Sequence, residues 1–448
     1  MNVAIPETEQ FDVDGEFARS LLAEDGFRPV QPQSLQEVGL SQAFVEALLC
    51  KHLSVFGTAT GRSLSDHACL PFRLIDKILD SLRTRKFIHH VNSAPFNDYF
   101  YSLTEQGQNR VESFMRESGY VGPAPVQLSE YVQSVKAQSI GHEAPDRERL
   151  GSACCDISID PKLFDSLGPA VNSGGGMFLY GAPGNGKSTL ARHITGCFGQ
   201  AIWIPHAIMV DGHVIKYFDP QFHKEIPELE DGPLRTADAD RRWIRIYRPT
   251  VIVGGELTLD NLELRHNPDS NVCESPLQLK SNCGCLLIDD FGRQRITPAD
   301  LLNRWIVPLE SHLDFLTMPT GKKIQVPFEQ IVIFSTNLEP DDLVDEAFLR
   351  RIPYKIKMTD PTDEEFYYLF KIYCERYDCE YRKDVITYLL DTHYRPCGRA
   401  KRRCHPRDLL AQVRNYCRYS GIPLELRPEY FDIVVESYFA TVLKTAES

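Results

Sequence analysis

Apolar residues along the chain fall into three successive patterns. Between 33 and 118 they recur at helical spacing. In "SQAFVEALLCKHL", Val45, Leu48, Leu49 and Leu53 share one face, and in "LPFRLIDKILDSLRTRK", Phe72, Ile75, Ile78, Leu79 and Leu82 form a stripe. "GRSLSDHAC" predicts a short helix between them. "FIHHV" and "YFYSLT", joined by the polar tip "NSAPFND", predict a hairpin, and the helix "EQGQNRVESFMRESG" closes the set. Three helices, a hairpin and a closing helix is the order of a winged-helix domain.

From 150 to 360 apolar strands alternate with helices, the pattern of a parallel α/β sheet. Beyond "DPTDEEFYYLF" the strands stop, and 361–448 predicts about four helices. Thr362 and Glu365 have the spacing of a capping box for the first of them. "HPRDLLAQVRNYCRYSG" ends on Gly421, and "PEYFDIVVESYFATVL" starts on a proline that a first helical turn tolerates. The glycine- and proline-rich "GYVGPAPVQL" opens a linker with a helix over 119–149, and 1–32 reads as a loose acidic tail.

The 448 residues suffice for two or three domains with full cores. A net charge of −13 argues against a surface coated by nucleic acid. No apolar run approaches the about 20 residues of a membrane span, and no signal-peptide pattern opens the chain. The 13 cysteines lack framework spacing, which suits reduced thiols and a cytoplasmic protein. Cys374, Cys379, Cys397, Cys404 and His405 lie near one another in sequence but without the paired short gaps of zinc sites, and read as buried free cysteines in a helical region.

The candidate chemistry sits at the strand ends. In "GMFLYGAPGNGKSTLARHITGCFG" the strand "MFLY" runs into Gly181, Ala182, Pro183, Gly184, Asn185, Gly186, Lys187, Ser188 and Thr189, then into a helix. Gly181, Gly186, Lys187 and Ser188 satisfy G-x-x-x-x-G-K-[ST]. Glycines let backbone N–H groups turn inward to phosphate oxygens, Lys187 neutralises the outer phosphates, and Ser188 is placed to ligate Mg2+. "CGCLLIDDFGRQ" then ends a buried strand on Asp289, a second magnesium candidate, and on Asp290, where a base would polarise an attacking water. "EQIVIFSTNLEP" ends another on Asn337, whose amide both donates and accepts and so suits orientation of that water.

The loop "GAPGNGKST", the strand end "LLIDD", the "STN" strand end and the helical C-terminal segment together resemble AAA+ ATPases over about residues 150–448. "GPAVNSG", "IDDFGRQ", "LLNRWIVPLES" and "CHPRDLL" look like a bacterial group of AAA+ proteins with an N-terminal winged helix. The resemblance implies an α/β P-loop core with a parallel sheet and a C-terminal helical lid, binding and hydrolysing ATP with Mg2+ in a homo-oligomeric ring, expected to be a hexamer. It implies that Arg351, or its neighbour Arg350, in "DEAFLRRIPYKI" reaches the ATP of the adjoining subunit. It likewise implies that Arg407 in "CHPRDLL" touches the γ-phosphate from the lid, and that adenine lies near "DISIDPKLFDSLG". The resemblance points to remodelling of an unidentified protein partner, with a DNA-associated switch similar to helicase loaders or transposition ATPases as the alternative.

Two departures stand out. AAA+ proteins usually carry glutamate where Asp290 stands, and the shorter side chain predicts slower turnover. The separation of Lys187 from Asp289 is also long for such a core. The surplus is read as "IPHAIMVDGHVIKYFDP", a hairpin turning at Asp211-Gly212, and "VIVGGELTLDNLELRHNPDSN", both taken as insertions outside the core and as partner surfaces. "LDFLTMPTGKKIQVPF" predicts a further hairpin with Lys322 and Lys323 at its tip. Arg73, Lys77, Arg83, Arg85 and Lys86 on the third N-terminal helix are interrupted by Asp76 and Asp80, so protein docking is favoured over DNA.

Overall fold

The N-terminal helices form where the apolar stripes predict them. In this computed structural model, which describes residues 27–153, 161–199, 201–227, 239–343 and 346–439, α1 spans Gln42–Phe56 behind an Ser41 N-cap. There follow β1 (Thr58–Thr60), α2 (Gly61–Ala68), α3 (Phe72–Thr84), β2 (Ile88–Ala94), β3 (Asp98–Leu103) and α4 (Glu105–Glu117). The strands form an antiparallel sheet in the order β1-β3-β2. β1 is absent from the sequence reading because three residues after a helix carry no period of their own. Buried Asp98 holds the start of α2, accepting from the N–H groups of Gly61 (3.1 Å) and Arg62 (2.9 Å). The first 26 residues of the predicted tail, the start of "DISIDPKLFDSLG" and residues 440–448 lie outside the described residues.

Next come β4 (Val126–Gln127), α5 (Leu128–Ala137), α6 (Pro161–Asn172), β5 (Gly176–Tyr180) and α7 (Lys187–Ile194). β6 (Ala201–Pro205), β7 (Ala207–Val210), β8 (His213–Lys216), β9 (Trp243–Tyr247), β10 (Thr250–Val253), β11 (Arg265–Asn267), β12 (Val272–Glu274) and β13 (Cys285–Ile288) complete this half. After α8 (Pro298–Ser311) run β14 (Leu313–Thr317), β15 (Lys323–Pro327), β16 (Ile331–Thr336), α9 (Glu346–Arg351) and β17 (Tyr354–Lys357). Five of these strands form a parallel sheet in the order β10-β13-β16-β5-β17. Every residue of β13 and β16 is buried, as strands covered on both faces must be. The last segment folds as α10 (Asp363–Arg376), α11 (Lys383–Leu389), α12 (His405–Ser420) and α13 (Pro428–Tyr438) around Phe366, Phe370, Leu409, Val413 and Phe431. Thr362 and Glu365 make both bonds of the capping box.

The reading of the surplus chain is corrected in two ways. "VIV" within "VIVGGELTLDNLELRHNPDSN" is β10, an edge strand of the parallel sheet paired with β13, so it belongs to the core. The Asp211-Gly212 hairpin does form, as β7–β8 with both turn residues left-handed (φ 47° and 84°). Its strands are not an open partner surface. They join a sheet in the order β11-β12-β8-β7-β4, and Ala207, Met209, Val214 and Val272 are buried in the same cluster as the N-terminal helices. Ile208, Val210, Ile215 and Tyr217 pack in a second cluster with Tyr131 of α5 and Leu316, Ile324 and Val326 of the β14–β15 hairpin. The period-2 pattern gave the strands, but it cannot name the surface that covers them.

A buried ion pair fixes this joint. Arg242, 2% exposed, donates through Nη1 to the carbonyl of Val38 (2.8 Å) and pairs with Asp240 (2.8 Å) and Glu130 (3.3 Å). Burial pushes the Glu130 carboxyl up to about 7, against the pull of the Arg242 charge. Removing the guanidinium strands one buried carboxylate and one that is largely buried. Arg242→Ala should therefore cost about 3–5 kcal/mol, read as a fall in the urea midpoint. A loss below about 0.5 kcal/mol would show that the network is solvated and holds nothing.

Among the described residues no helix is long and apolar enough to cross a membrane.

Candidate active site

The glycine loop follows β5, an interior strand whose last residue, Tyr180, feeds directly into it. Gly181 has φ 132°, and a Cβ there would lie 2.5 Å from the Met358 carbonyl oxygen, so backbone packing alone demands glycine. At Gly184 (φ 80°) a Cβ would meet Cys404 Sγ at 2.5 Å. These two positions let the lid-proximal chain lie against the loop. Gly186 caps α7, and Lys187 and Ser188 open the helix.

Lys187 is buried, and burial lowers its pKa while the charges of Asp289 and Asp290 oppose that shift. Its Nζ donates to the carbonyls of Gly181 (2.8 Å) and Ala182 (3.1 Å) and to Asn337 Oδ1 (2.7 Å). Ser188 Oγ donates to Asp289 Oδ2 at 2.5 Å. Asp289 stands at the end of β13, its N–H bonded to the Val253 carbonyl of β10 (2.8 Å). Asp290 is left-handed (φ 52°), and its Oδ1 accepts from Asn337 Nδ2 (3.2 Å). The turn carrying it is pinned by Phe291 N–H on the Ser335 carbonyl (2.7 Å) and by Thr336 Oγ1 on the Phe291 carbonyl (2.9 Å). Asn337 thus bridges lysine and aspartate with one amide.

These groups line a cleft of about 340 Å³, within the range of small-molecule sites. Pro183 to Thr189, Asp289, Asp290 and Asn337 face it, as does Arg407 of α12, whose Nε donates to Asp408 Oδ1 (2.8 Å). Leu163, Met358, Leu369 and Tyr373 supply apolar wall suited to a base. Arg350 and Arg351 stand elsewhere: they end α9 and do not line this cleft. Arg350 is exposed, while Arg351 Nε donates to Glu310 Oε1 (2.7 Å).

Two lining arginines escape the sequence reading. Arg403, in the run "RPCGRAKRR" read as a solvated basic loop, is nearly buried and donates to Glu365 Oε1 (2.8 Å), the capping-box residue of α10. Arg376 lines the cleft one turn after Tyr373, its guanidinium 5.4 Å from that ring. The acidic residues that pin the basic run were visible in sequence, but nothing local says that the loop folds back onto them. The cysteines are not uniformly buried as read from sequence: Cys374 is buried in the lid core, but Cys397 is exposed and Cys404 lines the cleft.

A parallel sheet in this strand order, a glycine loop between an interior strand and a helix, acidic and amide residues ending the next two strands, and a four-helix C-terminal segment make an α/β core of the P-loop type with a helical lid. That class rests on the topology and the loop. Residues 362–437 match a family described as a domain of unknown function (DUF8689). No curated protein matches the sequence. Among solved structures, the chain is similar to NtrX from Brucella abortus at 12% identity and a TM-score of 0.38, over 63% of this chain and 57% of NtrX. It is also similar to the Thermotoga maritima RuvB Holliday junction branch migration motor, at 13% identity and a TM-score of 0.34, over 68% of this chain and 73% of RuvB. The chain therefore spans little more than half the length of NtrX.

Proposed function

We propose that the chain binds and hydrolyses ATP in this cleft and uses the change to remodel a protein partner. The observation that carries the reading is the convergence of Lys187, Ser188, Asp289, Asp290 and Asn337 through direct hydrogen bonds in one lined cavity. The Ser188 hydroxyl and the Asp289 carboxylate are hard oxygen donors at one spot, the kind magnesium takes when phosphates and water complete its shell. Bound there, the ion would neutralise phosphate charge. Lys187 gives its three present contacts over to phosphate oxygens, and the loop N–H groups cradle the chain behind them. Asp290 accepts the proton of the attacking water, and Asn337, already bonded to it, orients that water.

Arg351, with Arg350 beside it, completes the site from a second copy in a closed ring, read as a hexamer. A guanidinium that lies outside its own cleft but on a firm carboxylate support suits delivery in trans. Loss of the γ-phosphate then shifts the strand end at Asn337. β15 leads into that same strand, and its hairpin packs against the inserted strands that carry the N-terminal unit, with Lys322 at its tip bonded to Asp211 (2.7 Å). The N-terminal unit, read as a winged helix, meets a protein partner rather than DNA, since Asp76 and Asp80 interrupt the cations of α3.

Asp290→Asn tests the chemistry cleanly, because asparagine tolerates the left-handed backbone that this position needs. ATP affinity should stay within about threefold and phosphate release should fall about a hundredfold. In ATP the variant should also retain its partner on affinity capture. Release at the native rate would remove Asp290 from the mechanism.

A further inference from the structure

We propose that Asp360 is a positioning residue: shared between Asn185 of the glycine loop and Arg402 of the lid, its carboxylate sets the lid's Arg403 and Arg407 in register with the nucleotide phosphates. The inference rests on the ATP reading and adds a coupling between phosphate loop and lid.

Asp360 occupies the short segment between β17 and α10, where the sheet ends and the lid begins. One oxygen, Oδ1, accepts from both Asn185 Nδ2 (2.7 Å) and Arg402 Nη1. Asn185 is 1% exposed, so its amide has no bulk water to turn to. Its other end, Oδ1, accepts from the Arg403 N–H (3.3 Å), and the Cys404 N–H donates to the Gly184 carbonyl (2.9 Å). Two direct bonds and one relay through Asp360 thus tie two loop residues to a run that ends where α12 begins. Burial works to raise the Asp360 carboxyl, but the bonds from Asn185 and Arg402 and the guanidinium charge outweigh it and hold it below its usual range. The bridge is therefore ionised at neutral pH.

The geometry makes the loop's conformation and the lid's angle a single variable. Phosphates that reorient the backbone at Gly184 and Asn185 pull on the very bonds that seat Arg403 and Cys404. Arg403 and Arg407 line the cleft, whereas Asp360 and Arg402 do not, so the second pair acts only through the first. Neighbouring ion pairs, Arg403–Glu365 and Lys401–Asp363, stiffen the lid side of the joint.

The test compares the full-length protein with Asp360→Ala, Arg402→Ala and the double variant, measuring ATP and ADP affinity, KM and kcat. Each single variant should keep ADP affinity within about threefold, lose most of the preference for ATP over ADP, and drop kcat about tenfold. The double variant should be no worse than either single one, since both remove the same bridge. Asp360→Glu should restore part of the preference. A merely structural role would lower the melting temperature and leave the ATP-to-ADP ratio intact, which would overturn the proposal, as would additive losses. If the native chain binds neither nucleotide, the ATP reading fails and this one with it. If native binding is normal and the ratio is unmoved in Asp360→Ala, this inference alone fails.

Discussion

Lys187→Ala should weaken ATP binding at least about a hundredfold and remove measurable hydrolysis, while the melting temperature without nucleotide changes little. The expectation follows from what the ammonium does in the structure. It is buried, its three partners are two loop carbonyls and one amide oxygen, and among the described residues no carboxylate forms an ion pair with it. Such bonds hold the group in place, but they only partly replace the hydration it has lost, which is why burial lowers its pKa. A triphosphate offers full negative charge to a cation already desolvated and aimed, so most of its value appears on binding. Truncation leaves small neutral acceptors rather than a stranded charge, hence the small stability effect. Titration calorimetry with ATP and ADP decides it. Affinity within about threefold of native would show that the phosphates do not lie at this loop, and the functional reading would go with it.

The strand ends were legible because the physics there is local. A parallel strand covered on both faces is a nearly continuous apolar run, and the polar residues that follow it mark the end of the strand. Asp289 is the first polar residue after the four apolar residues of β13, whereas in β16 the apolar run stops at Phe334 and the buried Ser335 and Thr336 carry the strand on to Asn337. The glycine loop is likewise spelled by sterics at Gly181 and Gly184. What was not legible is tertiary. "VIV" of β10 has the same apolar run whether it is an edge of the core sheet or part of an excursion, and only its pairing with β13 separates the two. The alternation in β7 and β8 shows that one face is covered but not that the N-terminal helices cover it. Arg403 could not be drawn from its neighbours at all, because its partner Glu365 lies far back along the chain and is already committed to a helix cap. Local rules gave the chemistry-bearing ends, and long-range packing decided which surfaces remain open.

Arg351→Ala should lower turnover about a thousandfold and leave ATP affinity within about threefold, the signature of a charge that acts in the transition state. In the proposed function this side chain is delivered to a neighbouring copy. It ends a short helix outside the cleft, and its Nε is fixed on Glu310 Oε1 at 2.7 Å on α8. A half-exposed pair of this kind is worth little to stability, so a folding defect is not the expected outcome. Because the substitution also removes the Glu310 contact, Glu310→Gln is the necessary companion. It keeps the guanidinium charge but loosens its seat, and should cost about tenfold rather than a thousandfold. Arg350→Ala, changing an exposed neighbour on the same helix, distinguishes which of the two cations is delivered. Mixing decides whether delivery is in trans. A copy carrying Lys187→Ala has no working cleft but an intact arginine, and a copy carrying Arg351→Ala has the reverse. Assembled together, some junctions unite the intact halves, and the mixture should hydrolyse ATP when neither preparation does so alone. Complete inactivity of the mixture, with co-assembly shown by size, would mean that the arginine serves its own subunit or none.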